Sequence, residues 1–420
     1  MEKTGGLQMK VKDILLKNVK DKNDKKLEQL KNRLTAEENN EEKDSGQRKK
    51  TEWMLCLGAG VSISVGLPNW YKLLATVTAQ LLPTSERSSP IEEFDKDVKE
   101  FYDKYGYNDL EFIRKWEKAL QGEYEDVFHE INLLEAGEYI RIYLKKDLGG
   151  SKEENQGEEF EKRVNYTLNR YIGEACKFDK EITEESLKDT TLLAVARLMK
   201  TENDALIHNA ITYNYDNLLE ASLRRICKCP EERVHSIIKE HKLPGLAGEN
   251  DWNIYHVHGR IPAVDEEKEP MSAKVILAES DYYEEEQVNY SWTNVLQSYG
   301  MLRTNMIFLG FSGADYNFRR LVKHIEKEKR DRQQYYIFFS VDGIVKSVFS
   351  KYLKKFSLDQ CIEDMKNGRK YAYEQLFINY LIDIQTTYWN NHGFQVIWSS
   401  HEQLSCDLER LHEKPELIQQ

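Results

Sequence analysis

Trp53-Met-Leu-Cys-Leu-Gly58-Ala59-Gly60-Val-Ser62-Ile-Ser64-Val-Gly66-Leu67-Pro68-Asn69-Trp70 is the stretch that decides the fold. Trp53 to Leu57 are mostly apolar and carry no charge, which suits a strand covered on both faces. Gly58, Gly60 and Gly66 give the backbone room to turn and to approach a ligand closely. Trp70, Leu73, Leu74, Val77 and Leu81 fall on one stripe, so the spacing predicts a helix packed back on the sheet. Strand, glycine loop and helix N-terminus together present N–H groups and a positive dipole end to an anion, typically a pyrophosphate. The third glycine of the G-x-G-x-x-G fingerprint is displaced to Gly66, and glycines placed for steric reasons alone would look the same. The motifs further along the chain decide between the two.

With 420 residues the chain is long enough for two or three domains with a well-buried core. Hydrophobic residues make up 40% and charged ones 31%, a soluble globular composition. No run of 18 apolar residues and no signal-peptide stretch occurs, so a cytoplasmic location without membrane contact is expected. The net charge of −12 argues against direct nucleic-acid binding. Of the six cysteines only Cys227 and Cys229 are close together, and no second pair completes a four-ligand zinc knot. Reduced thiols and no metal are the expectation.

Residues 1–50 hold 24 charged side chains and no aromatic one, too little apolar surface for a core. Val11, Ile14, Leu15 and Val19 give a short amphipathic helix in this stretch, so it reads as a charged N-terminal arm, flexible or docking. Pro83 to Pro90 is a turn-rich connection. From 91 to 200 the pattern is helical, as in Phe94, Val98, Phe101 and Tyr102, then Leu110, Ile113, Trp116 and Leu120. That stretch reads as a helical insertion, interrupted by a flexible loop from Gly149 to Gly157. Strand candidates then resume at Ala210–Asn214, Ile254–Gly259, Lys274–Ala278, Asn305–Gly310, Tyr336–Ser340 and Phe394–Trp398, with helices at Asn217–Ile226 and Phe318–Glu326. Strands alternating with helices mean an α/β fold with a mostly parallel sheet, here spanning 51–90 and 201–400, before a C-terminal tail at 401–420. Ligands bind outside the carboxyl ends of such strands, a rule that gathers the Gly58–Gly60 loop, Asn214, Asp216, His258 and Ser312 at one rim.

An asparagine amide cannot act as a base, but it can orient a hydroxyl or a water. Asp216, two residues on in an extended segment, can hold backbone or ribose groups on the same side. Of the rim residues, His258 titrates nearest neutrality, which makes it the acid/base candidate. His256 points the other way along its strand and reads as structural. Ser312 offers a hydroxyl to a ribose or phosphate but lacks the G-x-S-x-G frame of a nucleophile.

Gly58-Ala59-Gly60-Val-Ser62, Gly66-Leu-Pro68, Thr212-Tyr-Asn214-Tyr-Asp216, His256-Val-His258-Gly259 and Gly310-Phe-Ser312, in that order, resemble the sirtuin family. They are most similar to its bacterial branch of NAD-cleaving antiphage-defence proteins, and the match covers about 51–80 and 205–315. The resemblance implies a Rossmann-like NAD site. Gly58, Ala59, Gly60 and Ser62 would lie on the phosphates and Ser312 near the ribose, with Pro68, Asp216 and Gly310 also binding the dinucleotide. Asn214 would stand beside the nicotinamide ribose, and His258 would be the general base. Sirtuin deacetylases carry a four-cysteine zinc module after the histidine motif, whereas residues 260–305 here contain no cysteine. They also carry Asp-Phe-Arg where this chain has Asn69-Trp70-Tyr71. Both departures favour simple hydrolysis of NAD, the substrate, to nicotinamide and ADP-ribose in a regulated, NAD-depleting defence effector. The alternatives are a zinc-free protein deacylase and a module that senses NAD or ADP-ribose without catalysis. Relatives of this branch imply a homo-oligomer, or pairing with a HerA-type ATPase or another defence partner.

Overall fold

A computed structural model describes residues 2–35, 52–81, 133–149, 157–200, 207–238, 251–263, 274–287, 291–311, 313, 315–325, 333–345 and 370–411. The expectations for Pro83–Pro90, the helical pattern from Phe94 to Leu120, Ser312 and the tail beyond 411 lie outside the described residues.

A strand buried on both faces needs a neighbour on each side. β1 (Trp53–Leu57), buried at all five positions, pairs in parallel with β2 (Asn209–Thr212) and with β5 (Asn305–Leu309). Cys56 stands opposite Ile211 on one side and Phe308 on the other. With β3 (Val234–Ile237), β4 (Trp252–His256), β6 (Tyr335–Ser340) and β7 (Phe394–Ser399), the sheet has the order β3-β4-β2-β1-β5-β6-β7, and every pairing is parallel. The fold is therefore α/β and Rossmann-like. After β1 the chain adds β2 beside it, skips to the edge with β3, returns to insert β4 between them, and then crosses to lay β5 on the other side of β1. The strand order thus reverses between β1 and β5, where open parallel sheets leave a crevice.

Among the described residues the helices run α1 (Glu2–Thr35), α2 (Ala59–Ile63), α3 (Trp70–Leu81), α4 (Leu133–Leu148), α5 (Glu158–Ala175) and α6 (Thr191–Lys200). They continue with α7 (Leu218–Arg225), α8 (Glu279–Gln287), α9 (Trp292–Arg303), α10 (Tyr316–Ile325), α11 (Lys370–Asn391) and α12 (Gln403–Glu409). The chain divides into two units: residues 1–65, 180–257 and 290–420 in the first, 66–179 and 258–289 in the second.

The first unit holds the whole sheet. Its core includes Cys56, Ile211, Tyr255, Phe308, Phe318, Ile337, Trp389 and Phe394. Phe318 stacks on Trp389 at 5.7 Å and meets Phe311 edge-on at 4.8 Å. Burying each such ring is worth roughly 1.5–3 kcal/mol. α6 lies against α7 and α12. α1 is longer than the sequence suggests and lies against β7 of its own chain. Lys12, Leu15, Val19, Asn23, Lys26, Leu27 and Leu30 fall within about a third of the circumference at 100° per residue. Leu15 and Leu30 are fully buried, and Lys12 pairs with Asp342 at 2.9 Å and Glu402 at 2.6 Å. Asn23 accepts from the Trp398 N–H at 3.1 Å and donates to the Trp398 carbonyl, while Lys26 donates to the Val396 carbonyl at 2.6 Å.

The second unit is helical, and α3, α4 and α5 pack on one another. Of the stripe read from the sequence, Leu73, Leu74 and Val77 are buried while Trp70 and Leu81 are half-buried, and the helix expected to pack back on the sheet packs on α4 and α5 within this unit. Lys274–Ala278 is not a strand. Its backbone is satisfied by other means: Asp281 Oδ2 accepts from the N–H groups of Leu277 (2.9 Å) and Ala278 (2.8 Å). Strand β3, which the apolar pattern does not mark, is a four-residue edge strand whose middle is His235-Ser236, so it shows no apolar run.

Candidate active site

The corner after β1 is set by how closely it approaches the corner after β5. Gly58 N–H donates to the Leu309 carbonyl at 2.9 Å, and Gly60 N–H to the Gly310 carbonyl at 3.0 Å. A Cβ on Gly60 would lie 2.7 Å from the Gly310 Cα. Gly310 itself has φ +65°, and a Cβ there would meet the Val61 nitrogen at 2.5 Å. Two backbones in contact leave no room for a side chain at either corner. The glycines therefore answer a steric need, and the N–H groups of Gly58 and Gly60 are spent within the first unit. α2 starts at once, with Gly58 as its extended N-cap, where the sequence suggests a loop of small residues. Ala59 and Gly60 are half-buried in its first turn. Pro68, also half-buried, falls in the second unit just before α3.

Beyond β2 the chain turns out of the sheet and collects polar side chains. The Asn214 amide Nδ2 donates to the Gly58 carbonyl at 3.1 Å and to Ser62 Oγ at 2.9 Å. Ser62 Oγ in turn donates to Asp216 Oδ2 at 2.6 Å, and Asp216 Oδ1 accepts from the Leu218 N–H at 3.2 Å. Gly58, Ser62, Asn214 and Asp216, chosen from separate stretches of sequence, thus form one connected corner. Asn214 is half-buried at its rim, whereas Ser62 and Asp216 are buried beneath. Burial pushes the Asp216 carboxyl above its ordinary range, and nearby Glu220 adds to this, while the Ser62 hydroxyl, the Leu218 N–H and His256 oppose it. Ser62, Asn214, Asp216 and Glu220 line a small pocket with Leu57, Thr212, Leu192 and Ile254.

His256 and Glu220 complete the corner from below, and neither stands out in the sequence as part of a site. His256 Nε2 lies 2.8 Å from Glu220 Oε1, both side chains are fully buried, and Ser236 Oγ donates to the same Oε1. His256 Nδ1 approaches the Asn214 carbonyl at 3.3 Å. The signal for Glu220 was present in the sequence: a lone carboxylate in Leu218-Leu219-Glu220-Ala221-Ser222-Leu223, where every residue is buried.

His258 belongs to the second unit, which the chain enters between Val257 and His258. Its carbonyl accepts from the Ile276 N–H at 3.0 Å, and its ring meets Tyr282 edge-on at 5.6 Å. Gly259 comes next, with φ +89° against Val275. The 274–278 segment that pairs with His258 is held by Asp281, to which Arg141 from α4 donates at 3.1 Å, and by the 2.9 Å bond from Arg141 to the Val275 carbonyl. Arg141 and Asp281 are 5% and 1% exposed, so their pairing is shielded from water.

Among the described residues no cluster of three or more His, Cys, Asp or Glu side chains could hold a metal, and no helix is long and apolar enough to cross a membrane. Residues 208–361, from the start of β2 past β6, match the family described as SIR2-like domain. The NAD(+) hydrolase ThsA of Enterococcus faecium is 25% identical over 163 residues, which is 39% of this chain and 29% of that protein. The chain therefore matches under a third of that relative's length, and it carries a SIR2-like domain that includes Asn214, His256, His258 and Gly310.

Proposed function

We propose that this SIR2-like chain is an NAD+ glycohydrolase, releasing nicotinamide and ADP-ribose as a regulated NAD-depleting effector in antiphage defence. The observation that carries the chemistry is the Asn214 corner. One amide is fixed by two acceptors at the carboxyl ends of the central strands, where the strand order reverses between β1 and β5. The SIR2-like match and the similarity to an NAD(+) hydrolase support the choice of substrate. The defence role rests on the sirtuin resemblance of the motifs.

Cleavage of the nicotinamide–ribose bond builds positive charge on the ribose. Asn214 orients the water or ribose hydroxyl that meets it, and Asp216, tied through Ser62, keeps that amide in place. Gly58, Gly60 and Gly310 let the β1 and β5 corners pack backbone on backbone, which places the Gly58 carbonyl that holds the Asn214 amide. His258 is assigned the proton as general base. Homo-oligomerisation and a partner ATPase belong to the same proposal, as means of holding the activity in check.

The test is NAD consumption by the purified protein, without any acylated peptide, beside Asn214→Ala and His258→Ala. Each variant is expected to lose on the order of 100-fold or more in kcat while keeping its thermal unfolding midpoint. Turnover equal to wild type in Asn214→Ala would overturn the assignment. Activity that appears only with an acylated peptide would move the chain to the deacylases.

A further inference from the structure

We propose that His256 and Glu220 are positioning residues for Asn214, acting through its main-chain carbonyl. The proposal rests on Asn214 being the orienting residue of the reaction. The Asn214 side-chain amide is fixed by Gly58 and Ser62, and its main-chain N–H donates to Thr212 Oγ1 at 3.1 Å. The other main-chain polar group of the residue is its carbonyl, and His256 Nδ1 faces it at 3.3 Å.

A carbonyl can only accept, so Nδ1 carries a hydrogen. That leaves Nε2 turned to Glu220 Oε1 at 2.8 Å, a contact that needs one more proton between them. Glu220 thereby fixes the tautomer and tilt of the ring, and Ser236 Oγ fixes the carboxylate. Asp216 is the other carboxylate facing the pair, and it is itself bound to Ser62 and the Leu218 N–H. A histidine and a glutamate at 0% side-chain exposure cost more to bury than an apolar pair of the same volume. Their directed contact is with the carbonyl of Asn214, at the rim of the corner. β3, β4 and α7 are thereby joined to the residue that meets the substrate. Holding both ends of the Asn214 peptide fixes the direction of the amide, and a misplacement of about 1 Å costs on the order of 100-fold in rate.

His256→Phe removes the donor, whereas in His256→Asn an amide Nδ2 takes nearly the place of Nδ1 and restores it. Glu220→Gln tests the second contact, since its amide can donate to a neutral Nε2. Expected for NAD turnover is a loss of about 100-fold in kcat for His256→Phe with KM changed less than about threefold. His256→Asn and Glu220→Gln are expected to stay within about tenfold of wild type. The second readout is amide hydrogen exchange in the peptide spanning 212–217, with the β5 peptide as a control for global loosening. His256→Phe speeds exchange at 212–217 alone, and His256→Asn does not. If Asn214→Ala leaves turnover intact, the reading of the reaction fails, and exchange alone decides the positioning. Equal kcat losses for Phe and Asn, a rise in KM without loss of kcat, or unchanged exchange in His256→Phe each overturn it.

Discussion

The corner after β2 and the turn after β4 carry the two residues on which the proposed chemistry depends, and they are held in opposite ways. Around Asn214 the restraint is distributed: Gly58, Ser62, Thr212 and His256 each contribute one contact, and Asp216 and Glu220 brace Ser62 and His256 from behind. Around His258 the restraint converges on one carboxylate. Asp281 takes two backbone N–H groups, the Arg141 guanidinium and Lys274 at 3.2 Å, and the segment it shapes supplies the bond to the His258 carbonyl. A distributed network loses a share when one member goes, whereas a convergent one loses its shape. The comparison teaches where each unit is fragile.

The sharpest way to break it is Asp281→Ala. That change leaves Arg141 buried without its acid and strips two N–H groups of their acceptor, so about 3–5 kcal/mol of stability should be lost. Hydrogen exchange should rise across 274–282 and leave the β2 corner untouched. An effect below about 1 kcal/mol would mean the clamp does not shape the turn. Next comes Gly310→Ala, which forces a side chain to φ +65° with its Cβ 2.5 Å from the Val61 nitrogen. Strain and overpacking together should cost about 3 kcal/mol in urea unfolding, with loss of NAD binding. A neutral result would show that the β1 and β5 corners can part.

The smallest effect belongs to the distributed side. Ser62→Ala removes one hydrogen bond to a carboxylate, worth about 1.5–3 kcal/mol while Asp216 is ionised. The folded carboxyl of Asp216 lies above its usual value, so its own contribution is full below the unfolded pKa and is lost as pH rises through the folded one. The Ser62 hydroxyl opposes that rise by stabilising the charged form. The loss in Ser62→Ala should therefore be larger at pH 8 than at pH 4, as thermal unfolding at both pH values will show. Equal losses at the two pH values would mean that Asp216 keeps one protonation state across the range.

Much of this is legible in the sequence, because the central strands of a parallel sheet are nearly pure apolar runs. Trp53–Leu57, Asn305–Leu309 and Tyr335–Ser340 announce themselves, and each ends at a glycine or a polar corner. The link between Asn214 and Ser62 can be anticipated too, since both come just after adjacent strands. What the sequence hides is polarity turned inward. Lys274–Ala278 has the composition of a strand and becomes a loop because a carboxylate three residues later claims its N–H groups. His256 reads as a bystander because nothing in its own strand shows that Glu220, 36 positions earlier, lies beneath it. Val234–Ile237 is an edge strand with a single neighbour and two polar residues, so its apolar signal is diluted.

The long helix α1 has a consequence for assembly. A terminal strand of a sheet is a template on which another chain can crystallise its own backbone, one hydrogen bond after another. At β7 the Asn23 amide answers the N–H and carbonyl of Trp398, and Lys26 answers the carbonyl of Val396. The template is already written over by the protein's own side chains. At this edge, growth of a continuous sheet by another copy of the chain has to begin with the departure of α1.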